Sequence, residues 1–445
     1  MTASAPVTYA RRLGLFSGVM MVIGGIIGAG IFRSPQIVAQ RVVTPELTLG
    51  VWVLGGLIAL AGAFVYAELG GRFPRAGGQY VYLRDALGPL PAFLYAWALL
   101  LIIATGAIAD VAVTFADYAI ALFSLGESAR LPLAIGSIVL LSAVNYTGVR
   151  PGAITQNIFT ILKLVALGAV IAAGLGAAAG LLPTATAEAL RAPDNVVLAI
   201  GAALVPVLFS CGGWQQTNFI AEEIIAPERN LPRALVIGVV GVVLVYVLAN
   251  FTYIQALGAG GLAASTAPAA DAMTRLVGPV GRTLITAGIV VSTFGFLNLV
   301  ILVTPRVVQA MAADGLFIPA LARLHPRFRT PAAAIIVQGV WALVLVFSGR
   351  YGALLDYVVF ADWIFFGLTA ATLFVYRARE RAGAGPVYAG FRAPGHPVLP
   401  VFFILAALYV VAGSVGSNPG NALRGAALIA LGVPVYLVSR RIRRR

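Results

Sequence analysis

The stretch IGGIIGAGIF, from Ile23 to Phe32, places four glycines in an otherwise apolar segment. Glycine costs about 1 kcal/mol relative to alanine inside a helix, so this segment weakens any helix that it forms. Three interpretations compete: a loop that cradles phosphate, a face where helices pack closely, and a deliberate break in a membrane helix. The rest of the chain decides between them.

The composition indicates a membrane protein. Of the 445 residues, 60% are hydrophobic and 10% are charged, whereas a soluble domain carries about 25% charged residues. Apolar runs of the roughly 20 residues that a spanning helix needs recur from end to end. The N-terminus does not resemble a secretory signal, because the apolar run after Arg11 and Arg12 is too long and lacks a small-residue cleavage site.

Residues that bind metals or form disulfides are scarce. The single cysteine, Cys211, excludes an internal disulfide, and the two histidines, His325 and His396, each precede a proline in a polar loop. We therefore expect neither a metal site nor a cofactor. The formal charge of +14 does not predict nucleic-acid binding, because the basic residues are spread over loops. An excess of arginine in cytoplasmic loops explains that charge better.

The apolar runs predict an all-α membrane protein with twelve transmembrane helices. These lie near 14–39, 47–69, 89–116, 131–148, 153–176, 196–225, 231–256, 278–313, 331–348, 351–376, 397–415 and 419–439. With the N-terminus in the cytoplasm, the cytoplasmic segments hold 20 arginines and the opposite segments hold 8. This asymmetry predicts that both termini are cytoplasmic and that the protein lies in the cytoplasmic (inner) membrane.

Two of the predicted helices are interrupted in the same way. The first contains Gly28-Ala29-Gly30, and the sixth contains FSCGGW, from Phe209 to Trp214. Interrupted segments at matching places in two halves indicate an inverted repeat with a binding site at the membrane midplane. The predicted organisation is a cytoplasmic N-terminus (1–13), a first repeat of five helices (14–176), a second repeat of five (196–376), two further helices (397–439) and a basic tail (440–445).

The second break favours one interpretation of the glycine stretch. A dinucleotide fingerprint needs a third glycine and a preceding strand, and both are missing here. Gly24 and Gly28 fit a small-xxx-small packing pair. A broken helix explains more, because free N–H groups at Gly28 to Gly30 would bind a carboxylate. Carbonyls of Ile26, Phe209 and Gly212 would accept hydrogen bonds from an ammonium group.

Lys163 is the only lysine, and it lies in the middle of the fifth predicted helix. A lysine at the centre of a membrane helix costs about 2.5–3.5 kcal/mol, so it is a functional candidate by default. The structural alternative is that its side chain reaches back to the interface. An ammonium beside the first break could replace the cation of a sodium-coupled transporter, which predicts sodium-independent transport, and it could also take part in proton coupling.

Asp362 is the second ionisable residue near the middle of a span, the tenth. Two roles are equally compatible with this position: a proton relay or gate, and a structural carboxylate bonded to a neighbouring helix. On the cytoplasmic side, Glu222 and Glu223 are expected to form a salt-bridge lock with Arg229 and Arg233. Asp110 and Asp117 are expected to be interfacial, and the aromatic residues Tyr95, Trp214 and Trp363 are expected to be packing residues. Arg306 could pair with the same glutamates. Asn298 is expected to connect helices.

At these positions the sequence resembles the amino acid–polyamine–organocation (APC) superfamily, and in particular its L-amino-acid transporter branch. The similarity is carried by IGGIIGAGIF, by FSCGGWQQTNFIAEEIIAPERNLPRA (Phe209 to Ala234), and by STFGFLN (Ser292 to Asn298) with ADGLFIPALARLHPRFRTP (Ala313 to Pro331). Lys163 lies where many sodium-independent members carry a lysine. The motifs cover the chain almost from end to end.

The resemblance implies a LeuT-type fold of ten core helices plus two, and transport by alternating access. It implies an aromatic gate at Phe209, and coupling or gating roles for Lys163, Ser292, Thr293 and Asp362. No disulfide-linked heavy chain is expected, because the loop after the third helix has no cysteine. The implied substrate-binding residues are Ile26, Ile27, Gly28, Ala29, Gly30, Phe209, Ser210, Gly212 and Gly213.

The predicted function is sodium-independent transport of neutral L-amino acids, by exchange or by proton-coupled symport. A polyamine or cationic amino-acid carrier is the alternative, and it would require carboxylates in the cavity. A membrane enzyme is disfavoured because HExxH, a nucleotide loop and a His/Cys cluster are all missing. A channel or sensor is disfavoured because the sequence has no charged rings and no soluble receiver domain.

Overall fold

The computed structural model describes residues 7–185, 191–349, 351–384, 387–417 and 419–443, without the side chains of 351–359, 417 and 441–443. Residues 1–6 of the predicted N-terminal segment and 444–445 of the basic tail lie outside the described residues. The described residues form helices and no strand, apart from one isolated bridge between Leu13 and Ile224.

Helices occupy all five positions predicted for the first repeat. A break follows the first helix, and a π-helical turn (Leu99–Ile103) joins α5 to α6. The helices are α1 (Leu15–Ile26), α2 (Gly30–Val42), α3 (Pro45–Arg72), α4 (Gln79–Leu87), α5 (Pro89–Ala98), α6 (Ala104–Phe123), α7 (Arg130–Tyr146) and α8 (Val149–Ala178).

The second half repeats this alternation of long helices and one break. A 3₁₀ segment (Trp214–Glu223) follows the break after α9. The helices are α9 (Val196–Ser210), α10 (Pro227–Ala264), α11 (Pro268–Val277), α12 (Pro279–Ala313), α13 (Ala332–Ser348), α14 (Tyr351–Arg381), α15 (Val398–Ser417), α16 (Pro419–Ala430) and α17 (Gly432–Arg443).

Length and apolar composition make this a multi-pass membrane protein. Within the described residues, nine helical segments are long and apolar enough to cross a bilayer, or ten when α1 and α2 count as one bent span. α13 is shorter, at 17 residues. Exposed apolar side chains such as Val165 and Phe347 cover the outside of the bundle, as expected of a surface that faces lipid.

Local sequence sets the helix boundaries. Proline occupies the first position of α3, α10 and α12, where its missing N–H costs no hydrogen bond. The side chain of Thr44 caps α3 by accepting a hydrogen bond from the Leu47 N–H at 3.4 Å. The C-terminal half of α1, from Met21 to Ile26, is buried, and α1 packs against α8, α10 and α12. The break at its end therefore lies inside protein.

Candidate substrate site

The first break lies between Ile26 and Gly30. α1 ends at Ile26, Ile27 adopts an extended conformation, and α2 resumes at Gly30 with a bend of 43°. The N–H groups of Ala29, Gly30 and Ile31 donate no hydrogen bond to any described residue. Because they lie at the positive end of the α2 dipole, they can bind an anion.

The second break lies directly against the first. α9 ends at Ser210, and Gly213 has a left-handed φ of 99° before the 3₁₀ segment begins. A Cβ on Gly213 would overlap the carbonyl of Gly25, and a Cβ on Gly30 would lie 2.6 Å from the Ser210 hydroxyl. The two backbones meet at a distance that side chains would prevent.

Tyr246 of α10 joins the two breaks. Its hydroxyl lies 2.9 Å from the Ile26 carbonyl and 3.2 Å from the Ser210 carbonyl, and a hydroxyl has one proton to share between them. The Phe209 carbonyl accepts a hydrogen bond from the Gly212 N–H. Of the three carbonyls expected to be available for an ammonium group, that of Gly212 alone accepts no hydrogen bond from a described residue.

A cavity of about 130 Å³ opens between the breaks. Phe209, the predicted gate, is 37% exposed on its wall. Ile27 is not among the lining residues; its side chain is buried and its carbonyl is used by Lys163. The predicted site residues that do line the cavity are Ile26, Gly28, Ala29, Gly30, Phe209, Ser210, Gly212, Gly213 and Asp362.

Lys163 lies behind the first break and not at the interface. Its ammonium group is fully buried and donates hydrogen bonds to the carbonyls of Ile27 at 2.6 Å, Gly24 at 3.2 Å and Ser292 at 3.2 Å. The alternative that its side chain reaches back to the interface is therefore wrong. One ammonium thus donates hydrogen bonds to two carbonyls at the first break and to one carbonyl of α12.

Ser292 and Thr293 differ in their contacts. The Ser292 hydroxyl lies 3.3 Å from the Ile27 carbonyl and 3.2 Å from the Gly28 carbonyl, so it supports the first break. The Thr293 hydroxyl bonds back to its own helix, to the carbonyls of Ile289 and Val290. The part of Ser292 that accepts a hydrogen bond from the Lys163 ammonium is its carbonyl, at 3.2 Å.

Gly24 supports the helix-packing interpretation for this one glycine. A Cβ there would lie 2.6 Å from the Thr160 hydroxyl and would also overlap the Gln156 amide of α8. Gly24 thus lets α1 approach α8 closely, which places its carbonyl within reach of Lys163.

A buried ion pair lies close to the N-terminal residues that the structure describes. The Arg306 guanidinium donates a hydrogen bond to the Glu223 carboxylate at 2.8 Å, and both side chains are at most 1% exposed. Arg12 and Leu13 donate backbone hydrogen bonds to the Glu223 carbonyl. Tyr9 covers the guanidinium, and burial raises the pKa of the Tyr9 phenol well above its usual range.

The predicted lock was assigned the wrong arginines. The pairing of Arg306 with Glu223 is confirmed, whereas Arg229 and Arg233 form no ion pair with a described residue. Glu222 accepts a hydrogen bond from the Ala76 N–H. The reason is position: α12 carries Arg306 into the bundle beside the 3₁₀ segment, while Arg229 and Arg233 lie on exposed faces of α10.

We expect the single variants Arg306→Ala and Glu223→Ala each to destabilise the protein by about 3–5 kcal/mol, because each leaves a buried charge without its partner. The double variant should cost less than the sum of the two. Thermal unfolding in detergent measures all three, with Arg229→Ala as the exposed control that should leave Tm unchanged. Additive losses would show that the two residues do not act as a pair.

Several cavity residues were not predicted as site residues. Tyr95, Asp110, Gln216 and Thr304 line the cavity from separate helices. Asp110 was expected at the interface, but it is half-buried on the cavity wall, whereas Asp117 pairs with Arg130 nearer the surface. The remaining expectation, that Asn298 connects helices, is confirmed by its hydrogen bonds with Asn145, Gly152 and Gln156.

The chain matches one family model and resembles known transporters over most of its length. The family model described as amino acid permease matches residues 13–437. The chain is 33% identical to the human b(0,+)-type amino acid transporter 1, over 92% of this chain and 83% of the relative. It is also 33% identical to the human large neutral amino acids transporter small subunit 2, over 97% of this chain and 81% of the relative. The chain therefore belongs to the amino acid permease family of the APC superfamily and resembles its L-amino-acid transporters.

Proposed function

We propose that the protein is a sodium-independent secondary transporter of neutral L-amino acids, working by alternating access as an exchanger or a proton symporter. The observation that carries the proposal is the contact between the two helix breaks, which presents free N–H groups and a free carbonyl to one cavity. Such backbone groups recognise the part that all amino acids share. No chemical bond is made or broken.

The two breaks suit the two charges of an amino acid. The N–H groups of Ala29 and Gly30, two residues that line the cavity, would hold the α-carboxylate at the positive end of α2. The Gly212 carbonyl, near the end of α9, would accept a hydrogen bond from the α-ammonium group. Phe209, on the cavity wall between them, would close over the bound substrate.

Lys163 supports the sodium independence. Its ammonium already donates hydrogen bonds to the carbonyl oxygens of Gly24, Ile27 and Ser292. A sodium ion placed there would be repelled by the ammonium and would find its carbonyl ligands in use. We also propose a coupling role for Asp362, which would relay protons or act as a gate.

We extend the proposal to the arrangement in the membrane. Twelve spans would form two inverted repeats of five (14–176 and 196–376) and two further helices (397–439), with both termini on the cytoplasmic face of the inner membrane. Helices at all twelve predicted positions and breaks in the first and sixth support this arrangement. One relative is named a small subunit; a disulfide to a partner would need Cys211, which is 3% exposed beside the second break.

A cationic or polyamine substrate is the second candidate, because two carboxylates line the cavity. Asp110 and Asp362 both contribute to its wall. Against a polyamine stand the free N–H groups of the first break, which would have no carboxylate to bind.

Counterflow in proteoliposomes tests the function. Vesicles loaded with an unlabelled neutral amino acid are expected to accumulate labelled amino acid from outside, at the same rate in sodium and in choline buffers. A rate that changes with external pH identifies proton coupling. If no amino acid exchanges or accumulates, the proposed function is wrong, and strict sodium dependence would contradict the role given to Lys163.

A further inference from the structure

Several polar side chains line the cavity wall apart from the backbone groups of the breaks, and two of them, Ser210 and Gln215, already form hydrogen bonds near the breaks. Four others come from four different helical segments. Tyr95 belongs to α5, Gln216 to the 3₁₀ segment, Thr304 to α12 and Asp362 to α14. The backbone breaks account for the shared part of an amino acid and do not use these four groups. They are therefore available to the part of the substrate that differs between amino acids.

None of the four groups makes a side-chain hydrogen bond with a residue whose side chain is described. Tyr95 and Thr304 are each 1% exposed, so burial prevents their hydroxyls from reaching bulk solvent. The Gln216 Oε1 atom is buried without a partner. Asp362 is half-buried, and its charge lies close enough to act on the Tyr95 phenol.

The set has more acceptors than donors. A carboxylate and an amide oxygen only accept hydrogen bonds, whereas the Gln216 amide nitrogen donates and each hydroxyl can both donate and accept. The two oxygens of the carboxylate leave acceptors in excess. The other carboxylate on the wall, Asp110, has the positive charge of Arg33 nearby, whereas Asp362 forms no ion pair with a side chain that the structure describes. A ligand that satisfies this wall must bring hydrogen-bond donors.

Which substrates fit depends on the hydrogen bonds that they make after they displace water from the cavity. A substrate that enters the cavity displaces the water that occupies it. An apolar side chain would leave buried acceptors unpaired, which lowers affinity. A site built to bond a substrate group therefore rejects the isostere that lacks that group far more strongly than an apolar pocket does.

We propose that Tyr95, Gln216, Thr304 and Asp362 form a side-chain subsite that selects amino acids whose side chains end in a hydrogen-bond donor. The donor is a neutral amide or hydroxyl, or an ammonium group. This inference rests on the proposed function and names the substrate class within it. Asp362 and the three neutral groups act together, as acceptors from different directions.

Isosteric pairs of amino acids test the subsite in the counterflow assay. Subsaturating initial rates are compared for asparagine and leucine, threonine and valine, and ornithine and norleucine, with alanine as the reference substrate. We expect the donor-bearing member to be preferred by about tenfold or more. Preference within the first two pairs alone identifies a neutral donor, and preference for ornithine extends the class to cations. If alanine is exchanged but the two members of every pair are transported at equal rates, this inference is wrong and the proposed function stands. If neither alanine nor any other amino acid is exchanged, the proposed function is wrong.

Variants that keep shape assign the preference to the subsite. Tyr95→Phe and Thr304→Val each remove one hydroxyl and should lower the asparagine-to-leucine ratio about fivefold. Asp362→Asn removes the charge and should lower the ornithine-to-norleucine ratio most. Tyr253→Phe is the control, because its buried hydroxyl also has no partner but does not line the cavity. The ratio of two transport rates measured in one preparation does not depend on how much of the protein is folded. If these ratios are unchanged in the three subsite variants, the assignment is wrong.

Discussion

Replacing Lys163 by methionine is expected to abolish amino-acid exchange. Methionine has a similar length and keeps the packing of α8, but it donates no hydrogen bond. The carbonyls of Gly24, Ile27 and Ser292 would lose the ammonium that they share. The Gly24 carbonyl would be left without a partner, and the Ile27 carbonyl would keep only the 3.3 Å contact with the Ser292 hydroxyl. A buried acceptor left unpaired costs about 1–3 kcal/mol, so we expect the first break to rearrange and the exchange rate to fall at least about a hundredfold.

Two comparisons make the Lys163 experiment decisive. Leu162→Met places the same side chain one residue earlier on the exposed face of α8 and should exchange like the wild type. Lys163→Arg keeps the charge in a larger planar group that cannot act as a compact point charge, so it should restore little activity. Counterflow per folded transporter in vesicles measures all three. Sodium-independent exchange by Lys163→Met at the wild-type rate would contradict the role of the ammonium.

The positions of the helices could be predicted because membrane spans have a strong hydropathy signal. All twelve predicted positions contain a helix, and the two breaks lie where glycines interrupt apolar runs. Lys163 was informative for the same reason, since a charge stands out in an apolar segment. These features are properties of one segment at a time, so a single sequence reveals them.

Contacts between segments could not be predicted in the same way. Tyr246 joins both breaks through its hydroxyl, yet it is one tyrosine in a long apolar helix. Thr304 and Gln216 reach the cavity because of the rotation of their helices, which hydropathy does not determine. Such residues have no local signal that distinguishes them from packing residues.

Substituting Gly213 by alanine is expected to abolish exchange and to lower Tm, because two effects act together at this position. Its φ of 99° is left-handed, which costs an L-residue about 1–2 kcal/mol. A Cβ would in addition overlap the carbonyl of Gly25 in the first break. That carbonyl belongs to rigid backbone, and Gly25 has little room to move, since a Cβ of its own would already lie 2.7 Å from Leu299.

Gly349→Ala separates backbone strain from contact between the breaks. Gly349 ends α13 with a left-handed φ of 67°, and a Cβ there would meet no atom of the described part of the chain within 4 Å. It should therefore lose only about 1–2 kcal/mol and keep exchanging amino acids. If Gly213→Ala exchanged as well as Gly349→Ala in the same vesicles, the breaks would not need to touch. The expected result is that Gly213→Ala loses exchange and Gly349→Ala keeps it. Transport then requires the contact between the two broken helices, and the glycine content of either helix is not sufficient.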